Sequence, residues 1–85
     1  MKLQWTRSFA KNYQKLPQHL QKQTDQKLGF LLENINHPSL RVKKLQGKKD
    51  IWEASITMNY RLTFRIEGDT YLLLRVGTHT EILGH

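Results

Sequence analysis

The stretch Asn59–Glu81, NYRLTFRIEGDTYLLLRVGTHTE, decides how the rest of the chain folds. It reads as two strands joined by a tight turn at Glu67-Gly68-Asp69. In the first, Tyr60, Leu62, Phe64 and Ile66 share one face and Arg61, Thr63 and Arg65 share the other, the alternation of a strand with one buried side. The second, Tyr71 to Val76, is almost continuously apolar, as a strand covered on both faces would be. A three-residue turn would match the apolar faces, pairing Phe64 with Leu72 and Leu62 with Leu74. That register sets Arg61 against Arg75 and Arg65 against Tyr71 on the opposite face. Like charges opposed on a sheet are destabilising, and an anion bound between them would relieve the cost. Gly77-Thr78-His79 follows at once, so two arginines and a histidine gather near one sheet face. That grouping suggests handling of a phosphate.

Upstream, Asp50 to Ile56 reads as the next strand, with Trp52, Ala54 and Ile56 toward the core and Ile51, Glu53 and Ser55 away from it. A turn at Thr57-Met58-Asn59 sets Ile56 opposite Tyr60, Trp52 opposite Phe64 and Ser55 opposite Arg61. Glu53 then lies diagonally from Arg61, about 7–8 Å away and within reach of long side chains. Before this strand, Ser39–Lys49 carries Arg41, Lys43, Lys44, Lys48 and Lys49 with no acid. Val42 and Leu45 pin the segment to the core, and Gly47 makes a turn. Such a run serves either as a backbone contact for RNA or as a solvated loop.

At the other end, Lys2–Trp5 reads as a short strand with Leu3 and Trp5 on one face. Thr6 is placed to cap a helix in which Phe9, Tyr13 and Leu16 recur at helical spacing. Pro17 breaks that helix and suits the first turn of the next. From Gln18 to Asn34 the stripe Leu20, Thr24, Leu28, Leu31, Ile35 is backed by a Gln- and Lys-rich side, an amphipathic pattern. Gly29 weakens it by about 1 kcal/mol relative to alanine, and Asn36-His37-Pro38 ends it. The fold class expected is α+β, ordered β-α-α-β-β-β, with a helical hairpin on one face of an antiparallel sheet. The open face carries Glu53, Ser55, Arg61, Thr63, Arg65 and Arg75. Trp5, Trp52, Phe9, Phe30, Phe64 and Tyr60 fall at core spacing, and Tyr71 falls on the open face, where it would stack on a base. A C-terminal helix is not expected, because His85 follows His79 by six residues.

The chain has 85 residues, room for one domain spanning residues 1–85 and one modest core. It has no cysteine, hence no disulfide and no thiolate zinc site, and its four histidines lack metal-site spacing. No apolar run approaches the roughly 20 residues of a membrane span. The opening MKLQWTRSFAKNY lacks the apolar core of a signal peptide, so a soluble cytoplasmic protein is expected. The formal charge of +7 favours nucleic acid or an acidic protein as partner.

The chain resembles the RelE/ParE superfamily of small bacterial toxins over nearly its whole length, and four segments in this order carry the resemblance: KLQWTRSFAKNYQKLP, KKLQGKKDIWEASI, NYRLTFRI and LLLRVGTHTEIL. The GTH ending is most similar to the YafQ- and YoeB-like branch. The resemblance implies a ribosome-dependent messenger-RNA endonuclease acting in the ribosomal A site, without metal or cofactor. It also implies a cognate acidic antitoxin. It places Arg61 on the scissile phosphate and makes His79 the acid for the leaving group. Members often carry an aromatic residue soon after that histidine, where this chain has Ile82 and Leu83. Extra histidines and acids of YafQ-like members are replaced here by Ser55, Thr57 and Asn59. The related ParE branch, which targets DNA gyrase, is the alternative, and an inactive homologue that only binds antitoxin or RNA is a third.

Metal-free RNA cleavage needs an aligned 2′-hydroxyl, a base, cations for the phosphorane charge and an acid for the departing 5′-oxygen. An imidazole donates a proton near neutral pH, which suits His79; the plainer reading is an exposed surface histidine. Arg61 can grip phosphate oxygens bidentately, or it can be a surface cation paired with Glu53. Glu53 is either the base or the group that orients Arg61. Arg75 is a further catalytic candidate and Arg65 an RNA-binding one, with at least one of the two expected to be structural.

Overall fold

The computed structural model describes residues 1–47 and 49–82. Strand β1, Lys2–Trp5, leads into helix α1, Arg7–Lys15, and helix α2, Gln18–Glu33. A short 3-10 turn at Pro38–Leu40 precedes β2 (Lys43–Lys44), β3 (Trp52–Ser55), β4 (Tyr60–Glu67), β5 (Thr70–Thr78) and a single helical turn, α3 (His79–Ile82). The sheet order is β1-β5-β4-β3-β2, with β1 parallel to β5 and the other neighbours antiparallel. This is the α+β arrangement read from the sequence. It adds the short β2 at one edge and a C-terminal helical turn that the sequence reading left out, and it pairs the expected strand β1 parallel to β5 at the other edge of a sheet expected to be antiparallel.

The helical signals act as expected. The Thr6 hydroxyl accepts from the Phe9 amide at 3.1 Å, capping α1, and donates to the Leu74 carbonyl at 2.8 Å, fastening the helix start to β5. The α1–α2 hairpin is clipped twice: Gln21 Nε2 donates to the Tyr13 carbonyl at 2.9 Å, and the Tyr13 hydroxyl donates to Asp25 Oδ1 at 2.8 Å. That bond to Asp25 favours the protonated phenol and raises the Tyr13 pKa, with burial and the Asp25 charge adding to it. Leu20, Thr24 and Leu31 form the buried stripe of α2. Thr24 is tolerated there because its hydroxyl donates to the Leu20 carbonyl at 2.8 Å. Phe9, Leu31, Leu40, Ala54, Ile56, Leu62, Phe64, Tyr71, Leu73 and Val76 make one core cluster between helices and sheet.

The β3–β4 register follows the sequence reading: Trp52 opposes Phe64 and Ser55 opposes Arg61. The β4–β5 register does not. The turn is tighter by one residue, with Glu67 opposite Thr70 and Gly68 at φ +62. Pairing then shifts between Thr63 and Phe64, where Thr63 faces Arg75 and Phe64 faces Leu73. Leu74 is the extra residue of this bulge. Arg61 therefore lies opposite Gly77, not Arg75, and Arg65 opposite Leu72. No arginine pair opposes across these strands.

Four side chains differ in face or depth from the sequence reading. Tyr71 is buried and meets the Phe64 ring edge-on at 5.6 Å between centroids, so it is not a stacking platform on the open face. Ile66 runs past the core and is exposed. Trp5, at the end of an edge strand, is 61% exposed instead of packed. Trp52 is half-buried beneath the Lys44 ammonium, 5.8 Å from the ring centroid.

Phe64 has no exposed surface, so Phe64→Ala should lower the unfolding free energy by about 3–5 kcal/mol. Trp52→Ala should cost less, because part of its surface already meets water. Urea denaturation of both variants checks the order; a larger loss for Trp52→Ala would contradict this packing.

Candidate functional site

On the face away from the helical hairpin, β3 and β4 bring Glu53 and Arg61 together, and the start of α3 brings His79 to them. Glu53 is 2% exposed, although its alternation with Ala54 pointed to an open polar face. Its Oε1 lies 3.6 Å from Arg61 Nε and 3.8 Å from Lys43 Nζ, and its Oε2 lies 3.8 Å from His79 Nδ1. Oε2 is buried without a hydrogen-bond partner among the described residues. A buried ionised oxygen left in that state is costly, so its surroundings must hold it there. One carboxylate set against two permanent cations leaves the cluster net positive, which suits an anionic ligand.

Arg61 is held from two sides. Nη1 donates to the Tyr60 carbonyl at 3.2 Å and to the Thr57 carbonyl, while Nε faces Glu53. Its side chain is 21% exposed, and Nη2 makes no hydrogen bond among the described residues. The guanidinium is thus fixed in place with one edge free, unlike the mobile surface cation that spacing alone allows. Lys43, from β2, is largely exposed and reaches the same carboxylate.

His79 owes its place to a reciprocal cap. The Thr78 amide and hydroxyl both donate to Glu81 Oε1 at 2.9 Å, and the Glu81 amide donates back to the Thr78 hydroxyl at 3.3 Å. These bonds from the Thr78 amide, and then from its hydroxyl, hold the Glu81 carboxyl below its ordinary range. A Cβ on Gly77 would stand 3.1 Å from Glu81 Oε1, so glycine leaves room for the carboxylate. Arg75 is exposed and its Nη1 donates to the Glu81 carbonyl at 3.4 Å. It braces the C-terminal turn and does not face Arg61. The sequence reading missed this turn, although the T-x-x-E spacing of Thr78 and Glu81 is a signal that could have found it.

The remaining expected residues disperse. Arg65 pairs with Glu67 at 3.7 Å, away from the cluster. Lys44 covers Trp52. Lys49 is exposed, and Lys48 lies outside the described residues. Arg41 follows the 3-10 turn with a left-handed backbone, φ 48 and ψ 48. Ile82 is buried, while Leu83 lies outside the described residues. His37 is structural: its Nδ1 accepts from the Ser39 amide at 3.2 Å, and its ring stacks on Phe30 at 4.0 Å. No group of three or more His, Cys, Asp or Glu is placed to hold a metal among the described residues. None of the described helices is long and apolar enough to cross a membrane.

Residues 3–83 match the family model for the ParE toxin of type II toxin-antitoxin systems, parDE. The chain belongs to that family and is a type II toxin of the RelE/ParE superfamily. No curated protein matches it. Among solved structures, a YoeB/ParE toxin from Agrobacterium tumefaciens superposes with a TM-score of 0.80 at 20% identity, covering 93% of this chain and 99% of that one. A RelB–RelE antitoxin–toxin complex from Methanococcus jannaschii gives 0.74 at 23%, covering 94% of each chain. YafQ from E. coli gives 0.75 at 19%, covering 98% of each chain. At these identities the likeness is one of fold.

Because the folded-state pKa of Glu81 is depressed, the cap's contribution is present above the unfolded carboxylate value. It is lost as pH falls through the lower folded one. The Thr78 and Glu81 amide resonances should therefore move as pH drops below the ordinary value of 4.5. Glu81→Gln should abolish that titration and loosen His79. Identical pH profiles in the two proteins would contradict the cap.

Proposed function

We propose that this toxin is a metal-free endoribonuclease that cuts messenger RNA in the ribosomal A site and so inhibits translation. The observation that carries the reading is the buried Glu53 carboxylate turned toward Arg61 on one side and His79 on the other. A carboxylate this deep meets its neighbours rather than a substrate, so Glu53 orients the arginine and the histidine. With Nδ1 turned toward Glu53, Nε2 is the imidazole nitrogen left for a ligand.

In the proposed reaction the 2′-oxygen attacks the adjacent phosphorus, its proton leaving to solvent, and the ribosome supplies part of the alignment. The free edge of Arg61, supported by Lys43, stabilises the charge on the phosphorane. The bond from phosphorus to the 5′-oxygen breaks as His79 protonates that oxygen. The products are a 2′,3′-cyclic phosphate and a free 5′-hydroxyl. Arg75 belongs to the bracing of α3 in this scheme, and Arg65 and Tyr71 have no part in it.

The partner we infer is a cognate acidic antitoxin, consistent with a charge of +7 and with similar folds solved as RelB–RelE antitoxin–toxin complexes. The chain would act in the cytoplasm as one domain. A second reading, inhibition of gyrase by binding, is favoured by the ParE family match; it needs no proton donor.

His79→Ala should slow cleavage by about 10²–10⁴-fold, with the loss in the chemical step. A 5′-phosphorothiolate at the scissile position should restore it, because a thiolate departs without protonation. Arg61→Ala alone would strand Glu53 and cost about 3–5 kcal/mol of stability. The paired variant Glu53→Gln with Arg61→Gln is therefore the one to assay, and the thiolate should not rescue it. Mapping new 5′ ends in ribosome-bound messenger RNA reads all three proteins. Full cleavage by His79→Ala would remove the mechanism, and gyrase inhibition unaffected by that change would favour the second reading.

A further inference from the structure

A surface cavity of ≈ 580 Å³ lies beside Arg61, bounded by α2, the 3-10 turn and the β3–β4 turn. That is within the range of small-ligand sites, about 300–1,000 Å³. Lys27, Arg41 and Arg61 line it together with Ser39, Ser55 and Thr57, and no carboxylate is among its described lining residues. The three cations come from three separate parts of the chain, so their convergence is a product of the fold.

Two of them are held in position. Lys27 Nζ donates to the Ser39 carbonyl at 3.4 Å and lies 5.9 Å from the Phe30 ring centroid. Arg61 is tied to the Thr57 and Tyr60 carbonyls. The third, Arg41, has a left-handed backbone that glycine would take more easily, and it shares that feature with Asp50 alone among the described non-glycine residues. A strained backbone kept at a residue whose side chain lines a cavity points to a use for that side chain. Arg61 is already paired with Glu53 outside the cavity, but none of the described lining residues brings a carboxylate to Lys27 and Arg41, so the cavity favours an anion.

We propose that this cavity receives the phosphodiester of the nucleotide next to the scissile one, with its nucleoside against Met58, which is 87% exposed at the cavity wall. The proposal rests on the nuclease reading above. RNA is favoured over an acidic peptide because Arg61 is a wall shared by two anion sites. Its Nε faces the Glu53 cluster, and its Nη1 bonds the carbonyl of Thr57, which itself lines the cavity. An anion here is one guanidinium away from the scissile phosphate, as a neighbouring phosphate of the same strand must be.

The test uses a short single-stranded RNA with a 2′-deoxy residue at the scissile position, and its affinity for the whole protein across a salt series. Arg41→Gly removes a cation where the backbone already suits glycine, so the fold should be kept. Lys27→Gln removes a second. Each should weaken binding severalfold and reduce the slope of log affinity against log salt by about 0.7. A methylphosphonate in place of the neighbouring phosphodiester should weaken binding to the parent protein but not to Arg41→Gly. If the parent binds RNA and both variants bind it equally with an unchanged slope, the cavity proposal is overturned and the nuclease reading stands. If the parent binds no RNA, the cavity proposal is overturned, whereas the nuclease reading stands or falls by the mapping of 5′ ends on the ribosome. A glutamate-rich peptide serves as a second probe; if Arg41→Gly and Lys27→Gln lose binding to it while their RNA binding is unchanged, the proposal is overturned in favour of a protein ligand.

Discussion

The ion cluster on Glu53 is the constraint on which the working face depends. A carboxylate that is 2% exposed must be compensated by partners or it destabilises the fold. Arg61, Lys43 and His79 approach it within 3.6–3.8 Å, each from a different element. The β3–β4 register brings Arg61 across from Ser55 and diagonal to Glu53. The two-residue β2 exists beside β3 where it can deliver Lys43 opposite Glu53. The turn of α3 sets His79 over the remaining oxygen. A shift of any one of these elements would remove one of the partners of the buried carboxylate, so Glu53 ties the geometry of three elements to the stability of the fold.

In the proposed scheme the same arginine serves two purposes. Its Nε and Nη1 are spent on the protein, which removes the freedom a surface arginine would have to lose on binding. What remains is a fixed edge between the Glu53 cluster and the Lys27–Arg41 cavity. The helical hairpin, by contrast, is built for packing: Thr6 ties it to the bulge carbonyl of Leu74, and Leu20, Thr24 and Leu31 fill the space over the sheet. The core packing lies on one face of the sheet and the Glu53 cluster on the other, with Lys27 of the second helix reaching the rim beside Arg61.

Much of this was legible in the sequence, and the failures have physical causes. The helices announced themselves through Thr6, Pro17 and a stripe at helical spacing. The β3–β4 register was readable because both strands alternate cleanly, and a slip of one residue would turn every side chain over. Tyr71–Val76 is nearly continuous in apolar character, so it carries no such signal, and the tighter turn and the bulge at Leu74 went unseen. The errors at Arg75 and Tyr71 both follow from that one strand. The burial of Glu53 was hidden for another reason: it depends on Lys43 and His79, which are distant in sequence. Trp5 stood at core spacing on one face with Leu3, but it ends an edge strand and is left exposed there.

The most direct test of the account is a double-mutant cycle in unfolding free energy between Glu53→Gln and Arg61→Gln. If the buried carboxylate organises this face, Arg61→Gln alone should be strongly destabilising. The paired variant should recover much of the loss, with a coupling energy above about 1 kcal/mol. Strictly additive effects, with coupling near zero, would show that Glu53 and Arg61 are held independently and would contradict the account.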